Sequence, residues 1–68
     1  MAATDAPQSD SLPPVATAEQ LAEYLQTTVG SLAQDRYLRR GVPFTKVGKR
    51  VRYLRADVLA YLEQNRAQ

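Results

Sequence analysis

Apolar residues recur along the chain as three helical stripes and one alternating stretch, and these set the order of its elements. In "TAEQLAEYLQ", Leu21, Ala22, Tyr24 and Leu25 follow the i, i+1, i+3, i+4 spacing of a helix buried on one side. Glu19 and Glu23 fall on the opposite, wet face. Thr17 suits the N-cap, and Gln20 three places on completes a capping-box pattern. Thr28 can cap a second helix from Val29 to about Leu38 or Arg40, with Val29, Leu32, Ala33 and the ring of Tyr37 inside. Gly30, Ser31, Gln34 and Asp35 then point mostly outward. Gly41, able to take a left-handed C′ position, and Pro43, unable to continue a helix, predict its end.

The stretch "FTKVGKRVRYLR" changes period. Thr45, Val47, Val51 and Tyr53 are strand formers on either side of a Gly48-Lys49 turn, which predicts a β-hairpin. Two registers compete. A two-residue type II′ loop pairs Val47 with Arg50. A three-residue loop, Gly48 to Arg50, pairs Val47 with Val51 and Thr45 with Tyr53. The turn residues favour the first. The second gathers the apolar residues on one face, with Lys46 and Arg52 on the other, and is preferred on that ground. "RADVLAYLEQN" predicts a third helix, with Asp57 in its first turn and Val58, Leu59, Tyr61 and Leu62 as its stripe.

Residues 1–14, rich in Ala, Ser, Pro and Asp and without hydrophobic period, predict a disordered tail. The folded domain is expected over residues 15–65, leaving 66–68 as the C-terminal end. The order helix, helix, hairpin, helix makes this an α+β chain, mainly helical. Two short helices joined by a tight turn and followed by a ribbon outline a winged helix-turn-helix.

Charge sharpens the outline. The net charge is only +2, yet Arg36, Arg39, Arg40, Lys46, Lys49, Arg50, Arg52 and Arg55 form a window without a single acidic residue. Such segregation concerns partners more than fold, and its commonest partner is the nucleic-acid backbone. Pro43 and Gly48 rule out one continuous basic amphipathic helix lying on a membrane. No apolar run approaches the roughly 18 to 20 residues of a membrane span. The first residues lack the basic start and apolar core of a signal peptide, so a cytoplasmic protein is expected.

Catalysis finds little support. There is no Cys and no His, which removes thiol nucleophiles, imidazole bases and zinc-finger ligands; no cofactor is expected. Tyr37 and Tyr53 lie among arginines, but a tyrosine-nucleophile pocket needs several distant segments that 68 residues do not supply. Duplex DNA binding asks for a shape that fits a groove, flanked by phosphate ligands. Thr28, Gly30, Ser31, Gln34 and Asp35 are the candidate major-groove set: Gly30 and Ser31 allow close approach, and Gln34 can pair bidentately with adenine. Arg36, Arg39 and Arg40 are candidate backbone ligands, and Lys46, Lys49, Arg50 and Arg52 candidate wing contacts. Arg36 or Arg55 could instead pair with Asp57 or Asp35 inside the domain.

The motifs "LAEYL", "GVPFTKVGKRVRY" and "RADVLAYL", in this order and spacing, resemble the small winged-helix proteins of the excisionase and MerR-like group. These include recombination directionality factors of actinobacterial phages and integrative elements, and the resemblance covers residues 17–63. It implies a non-catalytic protein that docks its second helix in the major groove and its wing in the adjoining minor groove. It implies binding to tandem sites, self-association along the DNA, and steering of a tyrosine integrase towards excision. Carried over by position, groove contacts fall on Thr28, Ser31 and Gln34, and wing contacts on Lys49 and Arg50. The chain departs from the pattern at Asp35, where relatives often carry an aromatic residue, and at Thr27, where they often carry a small apolar one. A MerR-like regulator is the alternative; MerR-type activators usually append a long dimerising helix, and the end at Gln68 favours the excisionase. An adaptor binding an acidic protein surface without DNA is the reading from another class.

Overall fold

The computed structural model describes residues 12–67. Its elements are β1 (Val15–Ala16), α1 (Ala18–Leu25), α2 (Val29–Tyr37), β2 (Thr45–Val47), β3 (Arg50–Leu54) and α3 (Arg55–Gln64). Three helices accompany one antiparallel sheet of order β1-β3-β2, a small α+β domain consistent with a winged helix-turn-helix. The core is Leu12, Ala16, Leu21, Ala22, Leu32, Val42, Tyr53 and Val58, so every element except β2 sends at least one side chain inward.

Local chemistry fixes both ends of the helical pair. The capping box forms as expected: Gln20 N–H donates to Thr17 Oγ1 at 3.1 Å, and Thr17 N–H donates to Gln20 Oε1 at 2.9 Å. Thr28 caps α2 by accepting from Ser31 N–H at 3.0 Å. Between them, Gln26 turns the chain in the left-handed region at φ 60°. Thr27 N–H then reaches Ala22 O at 2.8 Å and Gln26 N–H reaches Glu23 O at 3.2 Å, the paired bonds of a Schellman motif. The end of α2 repeats the device one residue type away from expectation. Arg39, not Gly41, takes the left-handed position after the helix, at φ 59°. Its N–H bonds Arg36 O at 3.1 Å, and Arg40 N–H bonds Asp35 O at 2.8 Å. Gly41 is also left-handed, at φ 85°, and a Cβ there would sit 2.9 Å from the Asp35 Cβ. Glycine is therefore needed for the close approach of the connector to α2 rather than for the cap itself.

Three expectations are corrected by the sheet and its surroundings. The hairpin adopts the two-residue loop, with Val47 opposite Arg50, Lys46 opposite Val51 and Thr45 opposite Arg52. Gly48 stands at φ 64°, where a type II′ turn requires it, whereas the three-residue loop would have placed the left-handed conformation on Arg50. Turn geometry outweighs facial segregation: Val51 and Tyr53 face the helices, and Val47 is left exposed. The expected order of helix, helix, hairpin, helix also lacked a strand: β1 precedes the first helix and pairs with β3 through Val15–Leu54 and Ala16–Tyr53. Finally, the expected tail boundary lies too late. Leu12 is only 3% exposed, its carbonyl accepts from Arg55 at 2.9 Å, and Pro14 O accepts from Arg55 N–H at 2.9 Å. The rest of the predicted tail, residues 1–11, lies outside the described residues.

The helical stripes are narrower than expected. Tyr37 is 82% exposed and Val29 is exposed, leaving Leu32 as the buried anchor of α2. Tyr37 lies about 140° round the helix from Leu32, at the end that runs past the core. On α3, Val58 is buried and Tyr61 half-buried, while Leu59 is 48% exposed and Leu62 is exposed. A domain of this size has too little interior to cover a four-residue stripe.

Candidate nucleic-acid interface

The polar face of α2 begins at its cap. Thr28, Gly30, Ser31 and Gln34 are all exposed, and the Thr28 hydroxyl accepts from Ser31 N–H as the helix cap. A Cβ at Gly30 would meet nothing closer than the Thr28 Oγ1 at 3.9 Å, so the fold itself does not require glycine there. Gly30 and Tyr37 lie about 20° apart round the helix, so the exposed ring stands two turns along the same line. Tyr37 thus joins the outward face, although the sequence stripe assigned it to the core. Its angular distance from Leu32 was the signal available.

Asp35 is not part of that face. It is half-buried, packed against Gly41, and its Oδ1 accepts from Arg40 Nε at 3.1 Å. This pair answers the ion-pair expectation with a different arginine: neither Arg36 nor Arg55 takes a carboxylate partner among the described residues. Arg36 instead donates from Nη1 to the Tyr53 hydroxyl at 2.6 Å and lies 5.9 Å from the Phe44 ring centroid. Arg55 is spent on the Leu12 carbonyl.

The remaining cations are more open. Arg39 and Arg40 are exposed, and with Arg36 they border an open cleft of about 560 Å³ floored by Gly41, Val42, Pro43 and Phe44. Guanidinium groups beside a concave apolar floor suit phosphate oxygens, which accept from such donors at short range. On the wing, Lys46, Lys49 and Arg50 are exposed and form no ion pair among the described residues. Arg52 differs: it is half-buried and folds along its own strand, Nη1 donating to Val51 O at 2.8 Å. The cationic tip is therefore Lys46, Lys49 and Arg50, and Arg52 braces the strand behind it.

No helix among the described residues is long and apolar enough to cross a membrane. Comparison with curated proteins and with solved structures gave no match. A family model described as a helix-turn-helix domain matches residues 17–66, from the cap of α1 to just beyond α3. That span holds both helices of the pair, the hairpin and the closing helix, and the chain belongs to this helix-turn-helix domain family.

Proposed function

We propose that this protein is an excisionase-like duplex DNA-binding protein, laying α2 in the major groove and the hairpin wing along the adjoining minor groove. A helix-turn-helix domain implies DNA as the partner, and such domains are typically non-catalytic. The observation that supports the groove-and-wing docking is the wing tip, where Lys46, Lys49 and Arg50 are exposed and unpaired among the described residues. Thr28, Ser31 and Gln34 read base edges, Gly30 lets the helix come close to them, Arg39 and Arg40 hold the backbone where α2 ends, and the wing supplies sequence-independent affinity. Repeated sites, contact between copies on DNA and steering of a tyrosine integrase follow from the family resemblance.

The test is duplex titration across a salt series, followed by footprinting. Five cations on phosphates give a slope of about −4 to −5 in log affinity against log salt. A flat response, or no duplex binding at low salt, removes the DNA reading and leaves a protein partner. Tandemly repeated protection, with stimulation of excision in a reconstituted integrase reaction, supports the excisionase role; a single site without that stimulation points to a transcriptional regulator.

A further inference from the structure

Arg36 is the one candidate contact residue whose side chain crosses to another element. From α2 its Nη1 donates to the hydroxyl of Tyr53, seventeen positions on in β3, at 2.6 Å. Its guanidinium carbon lies 5.9 Å from the ring centroid of Phe44, just before β2. Tyr53 is 1% exposed, so the acceptor is anchored in the core. Elsewhere β3 packs on α1, α3 and its neighbouring strands. A single guanidinium on the helix thus holds the base of the wing, touching β3 at Tyr53 and the residue that leads into β2. Hydrogen bonds from a charged donor are short and roughly twice as strong as neutral ones, and stacking on an aromatic face adds to them.

We infer that Arg36 is a positioning residue: through the Tyr53 hydroxyl and the Phe44 ring it fixes the reach of the wing relative to α2. The span between the two groove contacts is then set inside the protein before DNA arrives, and Arg36 is not a phosphate ligand. This rests on the groove-and-wing reading proposed above. Preorganisation of this kind raises affinity by cutting the ordering required on binding. Losing the latch weakens the wing's contribution and spares that of the helix.

Tyr53→Phe removes only the hydroxyl, and Arg36→Met removes the guanidinium while keeping a long stem. Each is combined with Arg50→Ala on the wing and Gln34→Ala on the helix. Thermal melts confirm folding, duplex affinity is measured over a salt series, and amide hydrogen exchange is followed in β2 and β3 without DNA. The expected result is a loss of affinity of about five- to tenfold in each single variant, no further loss in the double, and an unchanged salt slope. Arg50→Ala then loses less in the Tyr53→Phe background than in the parent, while Gln34→Ala loses the same, and hairpin amides exchange faster in Tyr53→Phe. If Arg36→Met lowers the salt slope by about one while Tyr53→Phe binds like the parent, Arg36 is a phosphate ligand and the inference falls. Full additivity with Arg50→Ala, or hairpin exchange unchanged in a folded variant, also overturns it. Faster hairpin exchange in a protein whose parent ignores DNA keeps the latch and removes the DNA reading instead.

Discussion

Gly30→Ala is the substitution on which stability and binding should move in opposite directions. The position lies in the first turn of α2, exposed and outside the left-handed region, and a methyl there would touch only the Thr28 Oγ1 at 3.9 Å. Nothing in the protein opposes it, and alanine loses less backbone freedom than glycine. The gain is about 0.5 kcal/mol, the low end of the usual range because the first turn is not a helix interior. For a domain of this size that raises the melting temperature by about 2 to 4 °C. Against DNA, the same methyl stands on the face that carries Ser31 and Gln34. With the proposed docking, holding the helix off by even part of a methyl diameter would stretch the Gln34 pairing, and a bidentate contact of that kind is worth about 1 to 3 kcal/mol. Affinity should therefore fall by about tenfold, or 1.4 kcal/mol. Calorimetric melting and a fluorescence titration on the same preparation check both signs. A variant that is more stable and binds as well as the parent would mean that this face of α2 does not enter a groove. One that is less stable would contradict the geometry of the first turn.

Leu32→Ala removes the sole buried anchor of α2 and should destabilise by about 2 to 5 kcal/mol, enough to unfold most of the sample in a denaturant titration. Leu59→Ala, at a site 48% exposed, should lose less than about 1.5 kcal/mol; equal losses would refute the core assignment. Gln26→Gly relieves the left-handed residue at φ 60° and should stabilise by about 0.5 to 1 kcal/mol with DNA affinity unchanged. Gly41→Ala should destabilise by more than about 1 kcal/mol, since its Cβ would meet Asp35 at 2.9 Å; a neutral melt would show that the connector shifts freely. Arg50→Ala should weaken binding to all duplexes alike, whereas Gln34→Ala should change the preferred sequence in a selection from random sites; the reverse pattern exchanges the roles of wing and helix.

The sequence made the helices and the N-terminal caps of the first two legible because those signals are local. Thr17 with Gln20, and Thr28 with Ser31, need only neighbouring backbone to form their bonds. What stayed hidden depends on distant partners or on competition between local rules. Val15 and Ala16 carry too little strand pattern to be seen until β3 is there to pair with them. The hairpin register turned on a glycine conformation that outweighed the tidier distribution of apolar residues. Arg36 and Asp35 looked alike as polar positions on one helix, and only the fold separates them. One turns to Tyr53 and the other to Arg40, leaving Ser31, Gln34 and Tyr37 on the outward face. Tyr37 sits about 140° round α2 from Leu32, at the end of the helix that runs past the core, and so stays exposed.

The N-terminal strand has a consequence for the order of events during synthesis. Leu12 leaves the ribosome early, yet its carbonyl waits for Arg55, 43 positions later, and Ala16 waits for Tyr53. Closing so long a loop is slower than forming a capped helix or a tight hairpin. The helical pair and the hairpin can therefore gather from short-range contacts while the segment from Leu12 to Ala16 stands aside. Only once the start of α3 has emerged does it dock and seal Leu12 into the core. The first residues of the described fold to be translated thus depend on partners that come near its end. Holding back Tyr53, Arg55 and Val58 should therefore delay closure of the whole core, which these residues complete together with Leu12.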